Sequence, residues 1–119
     1  MSNLPLVLVK KDKKKLSDRS IHLNNLIQVL PVFVADALTV PNTDGELTPG
    51  DIEVYVSDFG PLDVHTKLIE IIVFSNEYPE RIKNLDERRD KLIRSIKGYS
   101  PIKDGFVWIF LGKGSFNTF

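Results

Sequence analysis

At 119 residues, with 42% hydrophobic and 27% charged side chains, the chain has the size and balance of one globular domain. It contains no cysteine, which excludes a disulfide framework, a thiolate zinc site and a cysteine nucleophile. Sixteen basic and sixteen acidic residues cancel, which argues against nucleic-acid binding, where a basic excess is the rule.

Leu4 to Val9 is a short run of leucine, proline and valine that reads as a buried strand. It is too short for the apolar core of a signal peptide, and lysines follow it rather than precede it. No segment reads as long and apolar enough to span a membrane. The expected compartment is therefore the cytoplasm, with neither membrane nor nucleic acid as partner. Lys10 to Lys15 holds five lysines in six residues and reads as a solvated loop, the alternative being an anion-binding patch.

Ser17 is placed to start a helix. From there Leu23, Leu26, Ile27, Leu30, Phe33, Val34, Ala37 and Leu38 recur at helical spacing as one apolar stripe, with Asn24, Asn25, Gln28 and Asp36 off it. Pro31 is expected to kink this helix near Gln28 without ending it, because the stripe continues in phase. Residues 41–50 carry turn residues and read as a loop. Ile52, Val54 and Val56 alternate with Glu53, Tyr55 and Ser57, the pattern of a half-buried strand. Lys67 to Phe74 is a further strand, apolar on both faces. The short link between these two strands predicts that they pair antiparallel. Asn84 and Glu87 predict a capping box, and Leu85, Leu92, Ile93 and Ile96 the apolar face of a second helix ending at Gly98. Glu87 with Lys91 and Asp90 with Arg94 are spaced to pair on its outer face. Phe106 to Leu111 is a last main strand, and the tail from Gly112 to Phe119 is long enough for a short extra one.

The predicted order is β-α-β-β-α-β, an α+β fold with two helices on one face of a four-stranded sheet. The first, third and fourth strands are apolar on both faces, and the chain is expected to hold no third helix to cover the second face. A bare apolar sheet exceeds what soluble monomers expose, so that face is expected to be buried in a homo-oligomer.

Residues 5–119 resemble the tautomerase (macrophage migration inhibitory factor) superfamily, nearest its 5-carboxymethyl-2-hydroxymuconate isomerase-like branch. The likeness lies in Pro5-Leu6-Val7-Leu8-Val9 as a proline-led first strand, in Val29-Leu30-Pro31 within the first helix, in the strand-loop-strand layout of 52–75, and in Phe106-Val107-Trp108-Ile109-Phe110-Leu111 before an aromatic tail. It implies doubled β-α-β units, inward-facing sheets, a trimer, and cofactor-independent isomerisation of small unsaturated oxo acids. In that family an N-terminal proline is the base, because a secondary amine near cations and away from water stays unprotonated at neutral pH. The resemblance places Pro5 in that role. Here Pro5 follows Leu4, so its nitrogen is a tertiary amide, and catalysis would need a chain trimmed to begin at Pro5.

Phe74, Trp108 and Phe110 stand where the family's strands wall a ligand pocket, and core packing explains them equally. Lys10, Arg81 and Lys113 lie nearest the strand ends and are the candidate cations for a small carboxylate. Glu70 is the one charge within an apolar strand, read as an interface or edge residue or as an acid-base group. His22 and His65 each stand alone in sequence and read as surface residues. No spacing of His, Asp and Glu suggests a metal, and no cofactor is expected. Gly112-Lys113-Gly114-Ser115 lacks the spacing of a phosphate loop and reads as a tight turn. Three functions remain open: a keto-enol tautomerase, a non-catalytic homo-oligomeric binding or interaction protein of the same fold, and a ferredoxin-like regulatory module.

Overall fold

The computed structural model describes residues 5–115, 117 and 119. Four strands form one mixed sheet: β1 (Leu6–Lys11), β2 (Glu53–Asp58), β3 (Ile69–Asn76) and β4 (Gly105–Gly112). Helix α1 (Ser20–Leu38), the short α2 (Pro79–Lys83) and α3 (Leu85–Tyr99) complete the α+β architecture, with α1 and α3 packed on one face of the sheet. The strand order is β2-β1-β3-β4. β1 runs parallel to β2, β3 parallel to β4, and β1 antiparallel to β3. The fold is thus two β-α-β units joined along β1 and β3.

This order corrects the expected pairing of the second and third strands. They do run in opposite directions, as a short link requires, but β1 lies between them. The link passes around the end of β1, where the Phe59 amide donates to the Lys11 carbonyl and the Asp12 amide to the Leu68 carbonyl. A strand apolar on both faces belongs in the middle of a sheet, and a one-sided strand such as β2 belongs at its edge. The same order disfavours the ferredoxin-like reading, in which the β-α-β unit is split by an inserted strand; here β1 and β2 are direct neighbours.

Side chains alternate across each strand. Val7, Val9, Ile69, Ile71, Val73 and Ile109 point to the helices and are buried. Helix α1 meets them with Leu23, Leu26, Leu30 and Val34, and α3 with Leu92 and Ile96. Phe33 and Tyr99 join the two helices edge to face, ring centroids 5.8 Å apart. Pro31 lies inside α1, which continues unbroken to Leu38 because the buried stripe on both sides outweighs one lost hydrogen bond.

With the single turn Ser17–Arg19 before it, this helix spans 22 residues, and its most apolar 18 average a hydropathy of 1.4. By length and composition it could cross a membrane, which corrects the expectation that no segment could. Ile21 and Val32, exposed and off the stripe, raise the average. Its packed stripe lies against the sheet, with Asn24, Asn25, Gln28 and Asp36 facing out.

Every carbonyl at the end of α1 is met. Ala35 accepts from the Thr39 amide at 2.8 Å. Asp36 accepts from Lys91 Nζ at 3.4 Å, Ala37 and Thr39 from Arg88 Nη1 at 3.1 and 3.0 Å, and Leu38 from Arg81 Nε at 2.8 Å. A helix end leaves four such acceptors and a negative partial charge, so cations suit it twice over.

This arrangement overrides the pairings expected along the second helix. Lys91 turns to Asp36, 3.2 Å away, rather than to Glu87, and Asp90 takes Arg89, 3.0 Å away, rather than Arg94. Asn84 caps no backbone amide; its Oδ1 accepts from Arg88 Nε at 2.7 Å. The helix also passes Gly98 and ends at Tyr99, since Ser100 precedes Pro101 and is held extended. No additional strand forms among the described residues after Gly112.

Gly105 opens β4 opposite Ile69. A Cβ there would lie 2.5 Å from the Ile69 carbonyl oxygen and 2.7 Å from its Cγ2. Because the obstacle is backbone, Gly105→Ala is expected to lower stability by about 1–3 kcal/mol. A urea titration reads this directly, and an unchanged midpoint would show that the β3-β4 junction gives way freely.

Candidate functional site

The face of the sheet away from the helices is open. The register places Leu6 beside Phe74, Leu8 beside Tyr55 and Ile72, Ile72 beside Trp108, and Phe74 beside Phe110. Trp108 and Tyr55 are 55% and 56% exposed, and Phe74, Phe106 and Phe110 are exposed too. The rings of Phe74 and Phe110 stack at 5.4 Å, and Trp108 lies tilted on Phe110 at 4.6 Å. Such a ladder is worth more than its area alone, yet here one side of it faces solvent. At the other end the face turns polar: Lys10 stands between Ser57 and Glu70, and Glu70 beside Phe106.

Pro5 lies one residue before β1, fully buried, and its carbonyl accepts from the Glu53 amide at 3.1 Å. A hollow of about 300 Å³ opens at this end of the sheet, lined by Leu6, Phe74, Ser75, Phe110, Leu111 and Lys113 among others. It therefore gathers three of the candidate residues, Phe74, Phe110 and Lys113. The Lys113 ammonium is 90% exposed and 4.0 Å from the Glu77 carboxylate. Trp108 belongs to the ladder beyond the hollow. Lys10 lies at the opposite end of β1, roughly 16 Å along a strand that rises about 3.3 Å per residue. Its ammonium sits 5.5 Å from the centre of the Phe59 ring.

Arg81 departs furthest from its expected place. It is wholly buried. Its guanidinium donates to the carbonyls of Leu38 (2.8 Å), Gly45 (2.8 Å) and Asn76 (3.1 Å) and to Ser75 Oγ (3.1 Å). Burial holds its pKa below the ordinary value, nearby Arg88 lowers it further, and Tyr78 partly offsets both. Burial likewise lowers Arg88, with Glu80 opposing. With these donors given to the chain itself, Arg81 braces α1, the 41–50 loop and the end of β3.

His22 and His65 are exposed, and His65 has a left-handed backbone (φ 63°) in the β2-β3 link. Glu70 is half-buried and accepts from the Lys67 amide at 3.1 Å. Tyr55 and Phe106 join the open face without having been singled out; the alternation of residues 52–57 carried the signal for Tyr55. Nothing local marked Arg81 and Arg88 as braces, because their acceptors are main-chain oxygens.

No protein-family model matches the chain, and no curated protein does either. Among solved structures it is similar to the crystal structure of Leishmania major MIF2, with a TM-score of 0.44 and 15% identity over 98% of this chain and 97% of that one.

Proposed function

We propose that this chain works as a homo-oligomeric binding or interaction protein on a tautomerase-like framework, without proline-based turnover. The observation behind it is the dispersal of Pro5 and the candidate substrate-binding cations. Pro5 is buried behind a peptide bond, Arg81 is spent inside the core, and Lys10 lies at the far end of the sheet. The occupant proposed for the open face is a second copy. Its aromatic half needs cover, and its charged half offers both signs, Lys10 and Glu70, to a like surface. Three subunits is the number that the resemblance implies, and the cytoplasm is the compartment proposed.

The hollow at the Leu6 end of the sheet, one residue along the chain from Pro5, supports a second reading, a cofactor-free tautomerase of small unsaturated oxo acids. In a chain beginning at Pro5 the nitrogen would be a secondary amine able to carry a proton between carbons, and Lys113 would face the substrate carboxylate. Intact-mass measurement and a phenylenolpyruvate assay separate the two. Protein starting at Met1 or Ser2 is expected to give no enol-keto turnover above the buffer rate. Turnover by that form would defeat the binding-protein reading; turnover confined to protein starting at Pro5 would establish the second.

A further inference from the structure

The link between β2 and β3 presents an apolar tip that its own chain leaves bare. Leu62 is 90% exposed and Val64 71%. The tip has a definite shape: the Gly60 amide donates to Asp63 Oδ2 at 2.7 Å, and the Asp63 amide returns to the Gly60 carbonyl at 3.2 Å. An isolated exposed leucine is ordinary, but an apolar pair on an ordered turn beside a carboxylate has the form of a knob.

The matching hole lies on the other edge of the sheet. Between α3 and the start of β3 and β4 is a hollow of about 70 Å³, walled by Ile69, Ile71, Ile93, Ile96, Ile102 and Val107, with Lys97 and Lys103 at its rim. A water takes roughly 30 Å³ in the liquid and needs polar partners, so aliphatic walls hold water poorly here. The space suits one branched aliphatic side chain.

The knob follows β2 and the hole adjoins β4, the two edge strands of the sheet. Both lie at the same end, since Lys11 pairs with Asp58 on one side and Ile69 on the other, and Ile69 pairs with Gly105. Leu62, 90% exposed, does not fill the hollow of its own chain, and a head-to-tail arrangement of copies is the kind that brings two different surface patches together.

We propose that Leu62 of one copy seats in the Ile93-Ile96 hollow of the next, with Asp63 brought to the Lys97 and Lys103 ammonium groups. This contact is a different surface from the open sheet face and stands or falls apart from it.

The absence of cysteine makes the test clean. Full-length Pro61→Cys and Gly98→Cys proteins, which keep Leu62, Asp63, Lys97 and Lys103, mixed and treated with a short bis-maleimide, are expected to form a covalent heterodimer at least about tenfold faster than Pro61→Cys mixed with Lys83→Cys, on the exposed side of α2. All three positions are exposed, so the variants keep the core. Equal rates in the two mixtures would overturn the proposal and leave the hollow to another occupant. Faster joining of Pro61→Cys to itself would overturn it too, since that makes the contact two-fold rather than head to tail.

Discussion

Arg81→Met is expected to destabilise the fold by about 3–5 kcal/mol, measured by urea unfolding. The substitution keeps most of the volume and removes a buried charge, which by itself would help. It also strips the Arg81 donors from the carbonyls of Leu38, Gly45 and Asn76 and from Ser75 Oγ, the Leu38 and Gly45 contacts being closed to water. A buried acceptor left alone costs about 1–3 kcal/mol, as at the Leu38 carbonyl, and losing a bond from a charged donor costs about 1.5–3 kcal/mol, as at the Gly45 carbonyl, which keeps the Val40 amide. Arg81→Lys is expected to fall between the two, because an ammonium carries the charge but not the planar fork that reaches several acceptors. Arg88→Ala should cost less, about 1–2 kcal/mol, since Arg88 is only half-buried and solvent can replace part of what it gives. If Arg81→Met stays within about 1 kcal/mol of the parent, the brace is idle and the end of α1 is held by packing alone.

Trp108→Glu with Phe110→Glu is expected to yield a folded monomer. Both side chains lie on the open face, so the core of Val7, Val73, Leu26 and Leu92 is untouched and far-UV circular dichroism should be unchanged. Buried aromatics at an interface are each worth about 2–3 kcal/mol, and carboxylates in their place add a desolvation cost. Each substitution should therefore weaken association by on the order of 100-fold, by the 1.4 kcal/mol per tenfold conversion. Tyr55→Glu, nearer the β2 edge, should weaken it less. An oligomer that survives the double change would place the contact elsewhere and leave the ladder unexplained.

The sequence spoke most clearly where burial has a period. The α1 stripe, the two-faced strands β1, β3 and β4 and the open apolar face were all legible, because each is a repeating choice of side chain. Strand order was not read correctly, although the contrast between one-sided 52–57 and two-sided 6–9 held the answer; link length constrains direction, not adjacency. Asn84 and Gly98 are good local signals overruled by neighbours: Arg88 claimed the Asn84 oxygen, and Pro101 set the helix end. Arg81 was out of reach for a different reason. Its partners are main-chain oxygens supplied by Leu38, Gly45 and Asn76, and no side-chain pattern announces those. Lys10, Arg81 and Lys113 all stand near strand ends in the sequence, yet the fold sends them to three different places, which no local pattern shows.

Trp108 is the single tryptophan of the chain and stands midway along the edge strand β4 on the open face. Acrylamide quenching of its fluorescence, followed over a dilution series whose masses are fixed by sedimentation, tests the central claim most directly. Association through this face predicts a mass that is a multiple of 13.5 kDa at micromolar concentration and a tryptophan shielded from quencher whenever that mass is present. A 13.5 kDa species whose tryptophan is quenched alike at every concentration, as a half-exposed side chain would be, contradicts it.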